Sequence, residues 1–138
     1  LILERTKGYA KQTEFEYVID IHGAVYVKER NLTVSLRLTR RDEIDLSAGN
    51  KNYFDLDKIM PPLVLRNRRN GDWFHPLGMT GRQKLKDFFI DHKIPQQKRN
   101  EIILLVDRQS VLWIEHMRLS DQVKITPKTK KFLELEII

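Results

Sequence analysis

The stretch RRNGDWFHPLGMTGRQKLKDFF, residues 68–89, decides the fold, because it joins a turn-rich loop to the clearest helical pattern in the chain. Glycine, proline, asparagine and aspartate crowd its first half, a composition typical of turns. Beyond them, Leu85, Phe88 and Phe89 recur at the spacing of one helical face. The pattern predicts a helix over about residues 82–92.

The predicted start of this helix carries an unusual concentration of positive charge. Thr80 and Gln83 have the T-x-x-Q spacing of a capping box, which marks a helix N-terminus. Arg82, Lys84 and Lys86 would then lie in the opening turns, where each cation costs about 0.3–1 kcal/mol against the helix dipole. A phosphate bound to the unpaired amides would offset that cost. We interpret the pattern as a phosphate site, with an exposed, solvated helix face as the alternative.

The flanking sequence predicts strands. Alternating apolar and polar residues, rich in valine, isoleucine, tyrosine and threonine, are typical of half-buried strands. The predicted strands are 15–20, 24–29, 32–39, 52–57, 63–67, 102–106, 111–115 and 131–137. Gly23 and the pair Arg30-Asn31 are connections short enough for two hairpins. One main helix among many strands predicts an α+β fold, a strand-rich sandwich.

The positive charge of the chain is concentrated in one segment. The chain has 138 residues and a net charge of +6, and its length suits a single domain over 1–138. Residues 66–99 hold nine Lys and Arg against three Asp, whereas the sequences on either side are balanced. A localised basic surface is expected for a polyanionic partner. The candidate residues for binding such a polyanion are Arg66, Arg68, Arg69, Arg82, Lys84 and Lys86.

Other classes of function find little support in the sequence. The chain has no cysteine, which excludes disulfides and a thiol nucleophile and suits the cytoplasm. The four histidines lack metal-site spacing, and no nucleotide-binding glycine loop occurs. No apolar run approaches the roughly 18 residues of a membrane helix. Asp72 and His75 could form an acid–base pair, although an Asp in such a turn more often caps its own backbone. Trp73 and Phe74 could stack on bases or anchor the loop to the core.

Residues 64–95, VLRNRRNGDWFHPLGMTGRQKLKDFFIDHKIP, resemble the C-terminal domain of bacterial tRNA(Ile)-lysidine synthetases. The family pattern R-x-R-x-x-G-D-x-F-x-P-L-G-M-x-G-x-K-K-L-K-D-F-F-I-D-x-K-I-P aligns with them without gaps. The likeness extends over nearly all of 64–118 through Arg99, LLVD (104–107), Trp113 and Arg118. Residues 1–60 resemble the family only in being strand-rich. The chain departs from the pattern at Gln83, Ile103 and His116, where the family has lysine, proline and glycine.

The resemblance implies a module of a larger enzyme. The whole enzyme uses ATP to join lysine to the wobble cytidine of tRNA(Ile) with a CAU anticodon. That chemistry belongs to an N-terminal domain with an S-G-G-x-D-S loop, so we expect neither a cofactor nor a catalytic centre in this chain. Because the chain begins with Leu1, we expect it to be a fragment. The resemblance implies a sandwich-plus-helix fold that is shared with a domain of phenylalanyl-tRNA synthetase. It also implies two partners, tRNA and the enzyme's own N-terminal domain. Whether the chain forms a homodimer stays open.

Two other functions stay open on the sequence. The basic segment could dock on an acidic face of the catalytic domain or of a second subunit, which would make the module a protein-interaction scaffold. An independent small enzyme would need Asp72 and His75 to act together.

Overall fold

Two antiparallel sheets and one main helix form the part of the chain that the computed structural model describes, residues 14–138. In chain order its strands are β1 (Glu16–Ile19), β2 (Ala24–Val27), β3 (Leu32–Thr39), β4 (Lys51–Asp55), β5 (Leu63–Arg66), β6 (Trp73–Phe74), β7 (Gln83–Lys84), β8 (Leu104–Val106), β9 (Val111–Ile114), β10 (Arg118–Leu119) and β11 (Phe132–Ile137). The α-helices are α1 (Leu85–Asp91) and α2 (Gln96–Arg99). Short 3-10 helices cover Arg41–Glu43, Leu56–Lys58 and Asp121–Val123.

The strands are divided between a five-stranded sheet, a four-stranded sheet and a small hairpin. The five-stranded sheet has the order β1-β5-β8-β9-β10, and the four-stranded sheet has the order β2-β3-β11-β4. β6 pairs with β7 alone. Among residues 14–138, no helix has the length and hydropathy required to cross a lipid bilayer.

The two large sheets face each other across one hydrophobic core. Ile19, Leu65 and Trp113 enter this core from the five-stranded sheet, while Phe54 and Leu135 enter it from the four-stranded sheet. All five are at most 3% exposed. Strands from before and after residue 60 therefore share the same buried interior.

Helix α1 covers the other face of the five-stranded sheet. Phe88 and Phe89 of the helix pack with Leu104 of β8 and Ile114 of β9 in a second buried cluster. Fully burying a phenylalanine stabilises a fold by roughly 1.5–3 kcal/mol, so this cluster holds the helix as a third layer. The β/β/α arrangement confirms the prediction of an α+β sandwich with one main helix.

Each predicted strand is present, with ends that differ by up to two residues from those predicted. The run at 102–106 becomes β8, in which Leu104 faces the helix layer and Leu105 faces the sandwich core. Burial on both faces explains why this strand is apolar throughout rather than alternating. The two-residue strands β6, β7 and β10 were not predicted, because so short a pairing leaves no periodicity.

One predicted hairpin forms and the other does not. β2 and β3 pair antiparallel across Arg30-Asn31, which confirms that prediction. The predicted hairpin around Gly23 is wrong, because β1 pairs with β5 in the other sheet. At Gly23 the chain crosses between the sheets, and the amide of this residue donates to the Asp20 carbonyl at 2.9 Å. The two strands thus lie on opposite sides of the core that both help to bury.

The turn between β9 and β10 explains why the family pattern has glycine where this chain has His116. His116 occupies this turn with a φ of 57°, in the left-handed region that favours glycine. The family has glycine at this position, so the pattern reflects backbone conformation. The imidazole is 62% exposed, and its Nε2 atom lies 3.9 Å from a Glu115 carboxylate oxygen.

His116→Gly is expected to raise the free energy of unfolding by about 0.5–1 kcal/mol, because glycine relieves the left-handed strain. Urea denaturation of the wild type and the variant measures the change. His116→Ala is the control, since it removes the imidazole but keeps the strained Cβ. An equal gain from the alanine variant would show that the ring, and not the backbone, is responsible.

A buried carboxylate makes stability depend on acid pH. Glu134 in β11 is 1% exposed and lies opposite Arg37 of β3, whose Nε donates to it at 2.7 Å. Burial acts to raise the pKa of Glu134, but the hydrogen bonds and charge of Arg37, with the charge of Lys51, outweigh it and lower the pKa. A depressed folded-state pKa stabilises the fold above the unfolded value of about 4.3, and this contribution is lost as pH falls through the folded value.

Glu134→Gln is expected to cost about 1.5–3 kcal/mol at pH 7, the range for hydrogen bonds to charged groups. The difference from wild type should shrink as the pH falls below about 4. Urea denaturation across this pH range tests the sign. Glu136→Gln, in the same strand but with a more exposed carboxylate, is the matched control, and an identical pH profile for both variants would contradict the assignment to Glu134.

Candidate nucleic-acid interface

Helix α1 begins at Leu85, three residues later than predicted. Gln83 and Lys84 form β7, and Lys84 is an N-cap with extended backbone and no side-chain capping bond. The side-chain amide of Gln83 donates to Asp91 at 2.9 Å. The predicted capping box at Thr80 and Gln83 is therefore wrong, because strand pairing takes up the residues that would have formed the first turn.

The predicted phosphate site at the helix start loses its basis for the same reason. Arg82 and Lys84 precede the helix, which has seven residues, and only Lys86 of the three cations lies in its first turn. One of the terminal amides is already paired, because Leu85 donates to the Asp72 carbonyl at 2.9 Å. Any role of these cations must come from their side chains.

The β6–β7 hairpin presents an aromatic and basic outer face. Trp73 lies opposite Lys84, and Phe74 lies opposite Gln83. Phe74 is fully buried against the helix, which puts Trp73 and Lys84 on the outer side. The Arg82 guanidinium lies 4.5 Å from the centre of the Trp73 ring, close enough for a cation–π contact. Phe74 is thus an anchor of the loop, while Trp73 remains partly accessible.

Asp72 holds the loop between β5 and β6 in place. Its two carboxylate oxygens accept hydrogen bonds from Arg66, each at 2.9 Å, and one of them also accepts the Arg69 amide at 2.7 Å. The Arg66 and Asp72 side chains are each 12% exposed. Arg66 was predicted to contact RNA, but its guanidinium is directed at an internal carboxylate.

Arg68 and Arg69 follow Arg66 and are directed differently. The Arg68 Nε donates to Asn100 at 2.8 Å. Burial, and then the charge of Arg99, lower the pKa of Arg68. Arg69 pairs with Glu16, and both side chains are more than 40% exposed. Exposed pairs contribute only about 0–1 kcal/mol, so a phosphate could replace Glu16 at little cost.

Four of the six predicted cations meet in one groove, here called the basic groove, with a volume of about 900 Å³. Its cationic lining residues are Arg68, Arg69, Lys84, Lys86 and Arg99. The neighbouring polar side chains include Gln96 and Asn100, and the carboxylates are those of Glu14 and Asp72.

The positive charge of the basic groove is only partly compensated. Asp72 is already occupied by Arg66. Lys84 and Lys86 are exposed and make no ion pair within residues 14–138. Arg99 uses its Nε to bind the Ile94 carbonyl at 2.9 Å, which fixes its guanidinium at the wall of the groove. Fixed guanidinium groups and mobile lysines suit the oxygens of several adjacent phosphates.

Besides Arg66, two cations are placed differently from the predicted set of RNA-binding residues. Arg82 lies outside the lining of the basic groove, on the hairpin face. Arg99 lines the groove but was not among the predicted residues, although it belongs to the basic segment and to the family likeness. Its position in the sequence, after the main helix, did not indicate that the chain brings it back beside the loop at 68–72.

Asp72 and His75 do not form an acid–base pair. Asp72 binds Arg66, and the Nδ1 atom of His75 lies 2.9 Å from the Gly81 carbonyl oxygen. Asp72 instead caps its own turn by accepting the Arg69 amide, which was the alternative interpretation of this residue. No group of three or more metal-ligating side chains occurs in the described part of the chain.

Comparison with known sequences places these features in a family. The family model described as "TilS substrate C-terminal domain" matches residues 63–135. A tRNA(Ile)-lysidine synthase from Clostridium acetobutylicum is 40% identical over 124 residues, which cover 88% of this chain and 27% of the relative. Another from Caldanaerobacter subterraneus subsp. tengcongensis is 33% identical over 133 residues, or 96% of this chain and 28% of the relative. The chain thus spans little more than a quarter of the length of these relatives.

A solved structure shares the fold. A crystal structure of a TilS C-terminal domain superposes with a TM-score of 0.76 at 19% identity and covers 91% of this chain and 96% of that chain. An N-terminal fragment of the phenylalanyl-tRNA synthetase β-subunit from Pyrococcus horikoshii matches with a TM-score of 0.48 over 62% of this chain and 27% of that chain. With its motif region matched by the family model and its β/β/α layers shared with the crystal structure, the chain belongs to the family of C-terminal domains of tRNA(Ile)-lysidine synthases.

Proposed function

We propose that this chain is the tRNA-binding module of a tRNA(Ile)-lysidine synthase and has no catalytic centre of its own. The observation that carries the proposal is the convergence of five cationic side chains on one groove, of which only Arg69 makes an ion pair among residues 14–138. Duplex RNA offers mainly phosphates, 2′-hydroxyl groups and a shallow minor groove to a protein. A groove lined by several guanidinium and ammonium groups offers partners for adjacent phosphates of such a backbone.

The partner is a tRNA(Ile) with a CAU anticodon, held by its body and acceptor stem. The module would orient this tRNA so that the wobble cytidine reaches the preceding catalytic domain, where ATP and lysine are used. Binding energy realised far from the reacting atoms contributes to turnover as well as to affinity. A tRNA partner places the protein in the cytoplasm.

The lysines of the basic groove test the proposal directly. Lys84→Ala combined with Lys86→Ala should weaken binding of a transcribed tRNA(Ile) and lower the slope of log K against log salt by about 1.5, because each phosphate contact contributes roughly 0.7–0.9. Filter binding across a salt series measures the slope. Lys128→Ala with Lys130→Ala is the matched control, since it removes the same charge from exposed positions outside the groove. A wild-type slope in the Lys84 and Lys86 variant would contradict the assignment.

Asp72 separates an organised site from a merely positive surface. Asp72→Asn makes the groove more positive, so simple attraction alone would strengthen RNA binding. If Asp72 instead positions Arg68 and Arg69 through its bonds to Arg66 and the loop, the variant should bind tRNA several-fold more weakly. Binding is measured under conditions where circular dichroism shows the variant to be folded. Tighter binding by the folded variant would rule out the positioning role.

A protein-interaction scaffold is the second candidate. An apolar groove of about 510 Å³ beside the edge strand β1 favours it, with Val18 67% exposed next to Ile21, Pro61 and Pro62. Such a surface would suit the catalytic domain or a second copy of this chain better than RNA. Binding of tRNA to this chain alone distinguishes the two functions, because a scaffold would show none above background.

A further inference from the structure

A small polar pocket lies beside the basic groove. It has a volume of about 180 Å³ and shares Gly71 and Asp72 with the groove. One of its walls is Trp73, and another is the turn between β8 and β9 with Arg108, Gln109 and Ser110. The pocket is therefore reached from the same surface as the groove, across the loop that Asp72 holds.

The β8–β9 turn is rigid, although its side chains are free to bind. Asp107 is 8% exposed, and its carboxylate accepts the amides of Gln109 at 2.8 Å, Ser110 at 2.9 Å and Met60 at 3.0 Å. The Arg108 amide donates to the Met60 carbonyl at 2.9 Å. The side chains of Arg108 and Gln109 are exposed and form no hydrogen bond or ion pair within the described residues 14–138.

Trp73 contributes an aromatic side chain to the lining of the pocket. Trp73 is only partly buried and lies on the outer side of the β6–β7 hairpin. Arg82, which covers part of its ring, does not line the pocket. The pocket thus combines an indole, a side-chain amide, a hydroxyl and the Arg108 guanidinium. Its lining also contains the Arg66–Asp72 ion pair and the Asp107 carboxylate, which are engaged in bonds within the protein. Aromatic rings stack on unpaired bases, amides and hydroxyls bond to base edges, and arginine binds the adjoining phosphate.

We propose that this pocket holds one unpaired nucleotide next to the RNA duplex whose backbone lies in the basic groove. The base would stack on Trp73 and bond to Gln109 or Ser110, while Arg108 would contact its phosphate. A paired base inside a duplex cannot enter, so the ligand is an end, a bulge or a loop nucleotide. The inference rests on the proposed RNA-binding function and adds a selective element to a groove that reads only the backbone.

Two RNA hairpins that differ only in a short single-stranded 3′ extension test the pocket. The wild-type chain should bind the extended hairpin more tightly than the blunt one, as measured by fluorescence anisotropy. Trp73→Ala should weaken binding of the extended hairpin about tenfold, because stacking of one base is worth about 5- to 150-fold in affinity. It should change binding of the blunt hairpin less than about twofold. Tyr26→Ala, which removes a 55% exposed aromatic side chain from the other sheet, is the matched control and should leave the preference intact.

Three further measurements keep the test independent of folding defects. Trp73→Phe should retain most of the preference, and Gln109→Ala, which leaves the turn's backbone bonds in place, should reduce it. The intrinsic fluorescence of the wild type should be quenched by the extended hairpin more than by the blunt one, because Trp113, the other tryptophan of the chain, is 1% exposed and should not respond. Equal wild-type binding of both hairpins, or a preference that survives in Trp73→Ala, overturns the pocket but leaves RNA binding standing. Binding of neither hairpin overturns both proposals.

Discussion

Burial of β8 and β9 on both faces is the constraint on which the rest of the structure depends. One face of these strands closes the sandwich core, and the other must be covered by a further apolar layer. Helix α1 supplies that layer through Phe88 and Phe89. Because the helix is held there, the hairpin before it and the loop at 68–72 are held as well, and their side chains meet at one surface.

The Arg66–Asp72 pair converts this packing into an organised surface. A nearly buried carboxylate in a basic segment appears unfavourable to polyanion binding if only net charge is counted. Asp72, however, binds the guanidinium of Arg66, which faces inward. It also accepts the backbone amide of Arg69, in the loop that presents Arg68 and Arg69 to the groove. The basic segment therefore contains cations of two kinds, those that build the loop and those that the loop presents.

The construction of the basic groove suits the proposed role in binding and orienting RNA. Its walls are a loop pinned by an ion pair, a short hairpin, and helices α1 and α2, all anchored on one sheet. A platform of this kind loses little conformational entropy when it binds, so more of the interaction energy remains for orienting the partner. The adjoining pocket at Trp73 is a feature that binding to a uniform phosphate backbone would not need, which is why we assign it to an unpaired nucleotide.

The sequence by itself determined the strand-rich α+β class, the main helix and the location of the positive charge. These features follow from local periodicity, as at Leu85, Phe88 and Phe89, and from composition, as at 66–99. Only the tertiary structure decided which strands pair and which cations face the groove. Gly23 connects two sheets rather than two paired strands, Lys84 lies in a strand rather than a helix, Arg66 turns inward and Arg99 returns to the loop. Each of these outcomes depends on partners distant in the chain, such as β5 for β1 and Asn100 for Arg68, and local sequence patterns carry no information about such contacts.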